Sequence, residues 1–572
     1  MDSRLAGHRG NVSNAFRIPR PRGASLVVAL ALAVPLFFLA VFFLWPVVAM
    51  LARGLVIPAG VDTAGFAAEL TRPRTWKVAG QTLWMAAAST FCSVVLGLPL
   101  AYVLYRLRLP GVRAVRAFVV VPFVLPTVVV GTAFRALLRA DGPYGFLGWD
   151  SSPWAVVAAM VFFNTAVISR TVGPLWAALP PHAEAARTLG ASPWRAFRTV
   201  TLLELAPAIT SGAAIVFLFC STSFGIVQTL GAPGYGTLET EIWVQTTTFL
   251  DLRAAAVLSL LQVVIVGAAT AVAARATRRT SAALRLRPAA RRKVSRSDIP
   301  ALLISAATVI FLIGAPLLTL VARSFQRSGT WTLENYRNLI GSSGFSGVSA
   351  SNALRNSLTT GLSAAVLALL LGALLAFALA SPWAPPRPVS AAAEGIALLP
   401  LGVSAVTVGF GLFLTIRMLV PSAQLLVPVA QAVVALPLVA RVILPVVRAI
   451  DPRLREAAAT LGAGPGRVWR SIDLPLAARA LAVAAGFGLA ISLGEYGATS
   501  FLATSDSTTL PVLIGQLLGR PGAENYGTAM AGAVVLGTVT GGLMALSEMA
   551  APAGAASSLL TQQKGKLRVR TS

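Results

Sequence analysis

Two eight-residue segments carry the side chains best placed for specific chemistry. Residues 184–191 read EAARTLGA, and residues 456–463 read EAAATLGA, so seven of eight positions agree. Each supplies one carboxylate, Glu184 or Glu456, followed by Ala185-Ala186 or Ala457-Ala458. Strong helix formers then give way to Gly190 or Gly462, which stops the helix. A second helix is expected beyond each turn. In the first copy Ser192 can cap it, Pro193 can open it, and Trp194, Phe197 and Val200 fall on one face with Arg195 and Arg198 between. The second copy repeats the plan with Pro465, Val468, Trp469 and Ile472 beside Arg467 and Arg470. No catalytic chemistry is expected of such a loop. Its chemistry is recognition, because a soluble groove can grip the helix by its apolar anchors. A helix resting on lipid headgroups is the alternative, and two matched copies count against it.

A second group of candidates lies within apolar stretches. Glu495, Tyr496 and Gly497 interrupt one such stretch, and Ser221, Ser223 and Gly225 interrupt another. Ionisable groups inside a membrane span are functional candidates by default. Small residues also let helices approach closely, or line a water-filled path. Cys92 and Cys220 sit in apolar runs and are expected as buried hydrophobes, and His8 and His182 form no cluster. Neither a metal site nor a catalytic residue is expected.

The elements that position these groups follow from composition. Of 572 residues, 56% are hydrophobic and only 12% charged, about half the charge of a typical soluble chain. Uncharged runs of transmembrane length recur, and they are continuous rather than alternating, so helices are expected. The spans are placed at 24–51, 78–105, 117–138, 153–179, 207–230 and 254–274, then at 299–321, 357–380, 395–419, 423–447, 480–501 and 526–546. The first is expected to be retained rather than cleaved as a signal peptide.

The net charge of +27 sits in short loops and tails. Arg106, Arg108, Arg113 and Arg116, then Arg187, Arg195 and Arg198, and the run from Arg278 to Arg296 all fall on one side of the membrane if the N-terminus is cytoplasmic. So do Arg448, Arg453, Arg455, Arg467, Arg470 and the basic C-terminal residues. Anionic lipid, not nucleic acid, is the expected counter-charge. The opposite loops carry Glu239, Glu241, Asp251, Asp506 and Glu524. Arg72, Arg74, Lys77, Arg323 and Arg327 run against this pattern.

The repeat extends beyond the loops. The offset that carries Gly190 onto Gly462 also carries Gly225 onto Gly497, while Gly97 corresponds to Gly372. The chain is therefore expected to comprise a tail over 1–23, a first membrane domain over 24–276, a basic linker over 277–298, a second membrane domain over 299–548, and a tail over 549–572. Both repeats carry the charged loop on the same side, so they are expected to be parallel.

With these residues in view, the chain resembles the permease subunits of binding-protein-dependent ABC importers. Their signature is Glu-Ala-Ala with a later glycine, in a loop that docks on the ATPase subunit. The resemblance implies an all-α polytopic fold, the type I importer fold, with about twelve spans in two pseudo-symmetric halves. It makes Glu184, Ala185, Ala186 and Gly190 one coupling loop, and Glu456, Ala457, Ala458 and Gly462 the other. It implies two copies of an ATPase and an extracytoplasmic solute-binding protein as partners. It also implies a bacterial plasma membrane location with both termini cytoplasmic. Family copies usually continue to Leu-Pro, which survives as Leu474-Pro475, whereas the first copy has Leu202-Leu203. The chain has no Gly-x-x-x-x-Gly-Lys-Ser/Thr phosphate loop, so ATP and magnesium are expected on the partner. The stretches 494–502, 509–511 and 517–522 resemble fused thiamine and ferric-iron permeases. Thiamine or a similar cation is the expected cargo and ferric iron the alternative, with Glu495 suited to a cation. An ion-gradient secondary transporter is the rival class.

Overall fold

The computed structural model describes residues 24–57, 60–180, 182–231, 234–280, 292–340, 349–420 and 422–550. Both tails and the central run of the basic linker, 281–291, lie outside the described residues. Among the described residues, ten helices are long and apolar enough to cross a membrane, and twelve spans result if each of two bent helix pairs counts as one. The chain is an all-α polytopic membrane protein.

Each half runs through the same elements. A first span, Leu26–Leu55 or Arg296–Ser324, contains a π-helical stretch and leads into a two-stranded hairpin. A long second span follows, Pro73–Arg106 or Ala350–Leu379. Next come a bent pair, a fourth span (Pro153–Ala178 or Ala423–Arg448), the repeated loop, a fifth span and a last span. Equivalent hydrogen bonds recur. The Leu238 amide donates to Thr82 Oγ1 at 2.9 Å, and the Leu510 amide to Ser357 Oγ at 2.7 Å. Gly97 lets its helix approach Ile168 so closely that a Cβ would lie 2.7 Å away, and Gly372 does the same against Val439 at 2.8 Å. Small residues thus set the spacing of the second and fourth spans in both halves.

The halves interlock. Val28, Leu32, Phe38, Leu39, Phe43 and Val47 of the first span join a core whose other buried residues run from 364 to 502. Ile313 and Leu320, from the first span of the second half, join the core built around the first half. Each half therefore covers the other with its opening helix.

Four expected spans are broken. Residues 117–138 form two helices at 101°, because Pro126 pushes Leu125 into an extended conformation. Residues 395–419 likewise bend by 95°, with Ser404 capping the second limb by accepting from the Val406 and Thr407 amides. The fifth and eleventh spans start earlier than expected, at Pro193 and Pro465, and stop at Ser221 and Gly494. Short helices Gly225–Leu230 and Thr499–Leu502 follow each stop.

Candidate functional site

The two repeated loops have one geometry. Helices His182–Thr188 and Pro452–Thr460 each end in a left-handed glycine, with φ of +92° at Gly190 and +80° at Gly462. The amides of Ala191 and Ala463 reach back to the carbonyls of Ala186 and Ala458 at 3.1 and 3.0 Å. The glycine amides bond to the carbonyls of Arg187 and Ala459. This Schellman pattern satisfies the helix-end carbonyls and requires a residue without a Cβ at the turn. It also turns out the preceding leucine. Leu189 is 89% exposed and Leu461 88%, extreme values for large apolar side chains. Glu184, Ala185, Glu456 and Ala457 are exposed, while Ala186 and Ala458 are half-buried. With Trp194, itself exposed, these residues present an apolar tip rimmed by charge, the composition of a docking surface.

Different groups seat the two loops. In the first, Arg106 pairs with Glu184 at 3.4 Å and His182 Nδ1 meets Glu204 at 2.6 Å. An aromatic ladder runs inward from Trp194 to Phe197, Trp176 and Tyr102, with ring centroids 5.2 to 6.1 Å apart. In the second, Arg455 and Asp473 form a largely buried pair at 2.7 Å, and Phe377 meets Trp469 edge-on.

Each loop is continuous with a membrane span. The helix after the turn is the start of the span itself, Pro193–Ser221 or Pro465–Gly494, with a π-helical segment, Phe197–Thr201 or Trp469–Asp473, inside it. These helices have 29 and 30 residues, about 45 Å at 1.5 Å per residue. Each is one long helix with an exposed loop at one end and a break at the other.

The breaks meet at the junction of the halves. Phe224 and Tyr496, which hold equivalent positions in the repeat, stack with centroids 5.5 Å apart and planes 17° apart. Phe224 is buried, and Leu238, Ile242, Val406 and Phe501 pack around the pair. A Cβ on Gly225 would run into Thr127, and one on Gly497 would lie 3.3 Å from Ala405. Both glycines therefore let the short helix after the break press on a bent pair. Ser221 Oγ bonds to its own helix at the Leu218 carbonyl, and Ser223 is buried beside the break.

Glu495 is 6% exposed, and its carboxylate is fully engaged. One oxygen accepts from the Ala498 amide at 2.7 Å, and the other from the Thr499 amide at 2.8 Å and from the Thr499 hydroxyl. It caps the short helix Thr499–Leu502.

Two residues that sequence reasoning missed belong here. Phe224 carried a signal, since it is the repeat equivalent of Tyr496. Glu239 carried none. Expected in an exposed acidic loop, it is only 1% exposed, accepting from Gln262 at 2.7 Å and from Ser404 of the other half. Glu241 is buried too, held by Arg74 through two contacts of 2.8 Å. Burial alone would raise its carboxyl, but hydrogen bonds from Arg74 and Gln245 bring it below the usual range.

The first half matches a family model described as the binding-protein-dependent transport system inner membrane component, over residues 93–279. The sulfate transport system permease protein CysT of Escherichia coli (strain K12) is 33% identical over 205 residues, which are 35% of this chain and 73% of that protein. The chain belongs to this permease family. The molybdenum transport system permease protein ModB of Mycobacterium tuberculosis is 35% identical over 238 residues, 39% of this permease and 86% of ModB. The thiamine transport system permease protein ThiP of Escherichia coli (strain K12) is 32% identical over 203 residues, 33% of this permease and 37% of ThiP. A solved bacterial ABC transporter that imports the polysaccharide alginate overlaps 45% of the permease and 96% of its own chain, with 17% identity and a TM-score of 0.39; so slight a likeness carries no argument. The chain is thus the membrane component of an ABC-type importer for a small solute. It works with an ATPase and a binding protein, and is not itself the ATP-hydrolysing subunit.

Proposed function

We propose that this single chain supplies both membrane halves of the importer. Its two loops, Glu184 to Gly190 and Glu456 to Gly462, would each dock one ATPase copy at the cytoplasmic face, with both termini on that side. The observation that carries this reading is the paired rod. In each half one unbroken helix joins the exposed loop to the break at Phe224 or Tyr496. ATPase closure would draw the loops together, and the rods would separate the rings, opening a path between the halves. Replacing both turn glycines, Gly190→Asp with Gly462→Asp, forces a Cβ into left-handed backbone at both tips. The expected outcome is a chain that inserts normally but gives no ATP hydrolysis above the basal rate when liganded binding protein is added. Full stimulation in that variant would refute the docking assignment. Transport driven by an ion gradient with no ATPase present would instead favour a secondary transporter.

For the cargo, two observations point in different directions. The alignment with the thiamine permease covers similar shares of both chains, so the two have similar length, which supports thiamine. Against a cation, the carboxylates of Glu495 and Glu239 are taken up by protein donors, and the sulfate and molybdenum permeases align over most of their own lengths. We favour a small oxyanion. Uptake of labelled sulfate, molybdate and thiamine by the assembled importer in proteoliposomes decides between them, and thiamine uptake alone would overturn the oxyanion reading.

A further inference from the structure

At the end of the molecule opposite the docking loops, a cavity of about 690 Å³ opens between the halves. Its walls come from three places. The limb Thr127–Leu138 and the turn beyond it supply Arg135, Arg139 and Asp141. The end of the seventh span and its hairpin supply Arg323 and Arg327. The approach to the last span supplies Arg520 and Tyr526.

Five guanidinium groups therefore converge where the lining has one carboxylate. Asp141 meets Arg139 at 3.3 Å and Arg323 at 2.9 Å. Arg327 is held from behind by Glu334 at 2.9 Å and Glu524 at 2.8 Å, neither of which lines the cavity. Arg139 also lies over the Tyr526 ring, 4.7 Å from its centroid. That leaves two groups unanswered. Among the described residues, half-buried Arg135 donates only to the Thr229 carbonyl at 3.3 Å, and the Arg520 guanidinium, at the solvent-exposed rim, has no protein partner.

Gathering like charges costs Coulomb energy, most of all where they are withdrawn from water, and Arg135, Arg139, Arg323 and Arg327 are half-buried while Asp141 and Arg520 are exposed at the rim. Such a cluster is stable when an anion completes it, and the planar fork of arginine matches the oxygens of sulfate, phosphate and carboxylate groups. Repeat symmetry does not demand the feature, since Thr248 holds the position in the first half that Arg520 holds in the second.

We propose that this cavity is a binding site for a small oxyanion, with Arg135 and Arg520 as the groups that engage it and Asp141 as the carboxylate that weakens it. The site stands independently of which solute passes Phe224 and Tyr496. The same oxygen chemistry is offered by a free tetrahedral anion and by the phosphate of a lipid headgroup.

The test is calorimetric titration of the purified full chain, in lipid-free detergent, with sulfate and with phosphate at constant ionic strength. Saturable binding is expected, and Arg135→Gln with Arg520→Gln should weaken it at least tenfold. Asp141→Asn should tighten it several-fold, an outcome that misfolding cannot mimic. Arg253→Gln, which removes an arginine outside the cavity, should change nothing. Native mass spectrometry after reconstitution separates the sources. A phospholipid retained by the wild type and lost by the Arg135→Gln, Arg520→Gln variant assigns the site to a headgroup, and its absence with sulfate binding intact assigns it to a free anion. No saturable binding, equal affinity in the arginine variant, or weaker binding in Asp141→Asn each overturns the proposal. So does a variant that loses only its response to the binding protein while still binding sulfate normally, because the arginines would then be a docking surface.

Discussion

If Phe224 and Tyr496 close the path, removing one ring should make the resting importer leak. The rings stack at 5.5 Å and 17°, and such pairs contribute ~0.5–1.5 kcal/mol beyond their burial. Tyr496→Ala also removes part of the apolar surface that the closed state buries, for a combined loss of about 2 kcal/mol. At 1.4 kcal/mol per factor of ten, the open form gains about 25-fold. A minor state at about 1% would rise to about 20%. The assay is efflux of labelled sulfate, and separately of labelled thiamine, from liposomes holding the complete complex without ATP. The alanine variant should leak roughly ten times faster or more for the true cargo. Tyr496→Phe keeps the stack and should leak at the wild-type rate. Phe224→Ala should resemble Tyr496→Ala, and the double variant should add little, because either truncation already removes the pair. If Tyr496→Ala is as tight as Tyr496→Phe while melting at the same temperature, the rings do not seal the path.

Other expectations follow from the same geometry. Glu495→Gln leaves one carbonyl oxygen to serve donors that two carboxylate oxygens now satisfy, so it should lower stability by about 1–2 kcal/mol, seen as an earlier thermal melt, while leaving the choice between anionic and cationic cargo unchanged; a switch in cargo preference would restore a direct role in the path. Gly97→Ala and Gly372→Ala push a Cβ to 2.7 and 2.8 Å from Ile168 and Val439, and each should cost about 1–3 kcal/mol by overpacking. Gly395→Ala, with nothing within 4 Å of the new Cβ, is the control, and equal melts for all three would show that the helices yield.

Much of this plan was legible because the chain states it twice. The spacing that matches Gly190 with Gly462 also matches Phe224 with Tyr496, and continuous apolar runs announce helices. The turn geometry of the repeated loops was readable as well, since glycine after a helix has few other uses. What stayed hidden was tertiary. An apolar run of membrane-spanning length looks the same whether it crosses straight or bends by 101° at Pro126, because hydropathy averages over the break. Glu495 read as a buried acid beside the path, suited to a cation. What the sequence did not announce is that its two oxygens close on the next turn of its own chain, a local capping pattern masked by the surrounding apolar residues. Glu239 was invisible for the opposite reason. Its partner Ser404 lies 165 residues away in the other half, and no local pattern foretells such a contact.

The departures from symmetry are as informative as the repeat. Two equal halves with equal rods would move alike, yet three contacts set them apart. Glu239 reaches Ser404 across the junction, whereas Pro511 occupies its repeat position and has no side chain to do so. The first repeated loop is backed by the ladder from Trp194 to Tyr102, and Tyr102 in turn meets Arg292 and Asp298 of the linker. Arg292 is also paired along the backbone with Leu107, with bonds of 2.9 and 3.0 Å to Arg108 and Arg106. Behind the second loop stand the Arg455–Asp473 pair, a bond from Arg455 to the Val447 carbonyl and the Phe377 ring, with no tie to the linker among the described residues. A displacement of the first loop must therefore strain the segment that joins the halves, while a displacement of the second need not. On the proposed reading, two ATPase copies would then meet two loops of unequal stiffness.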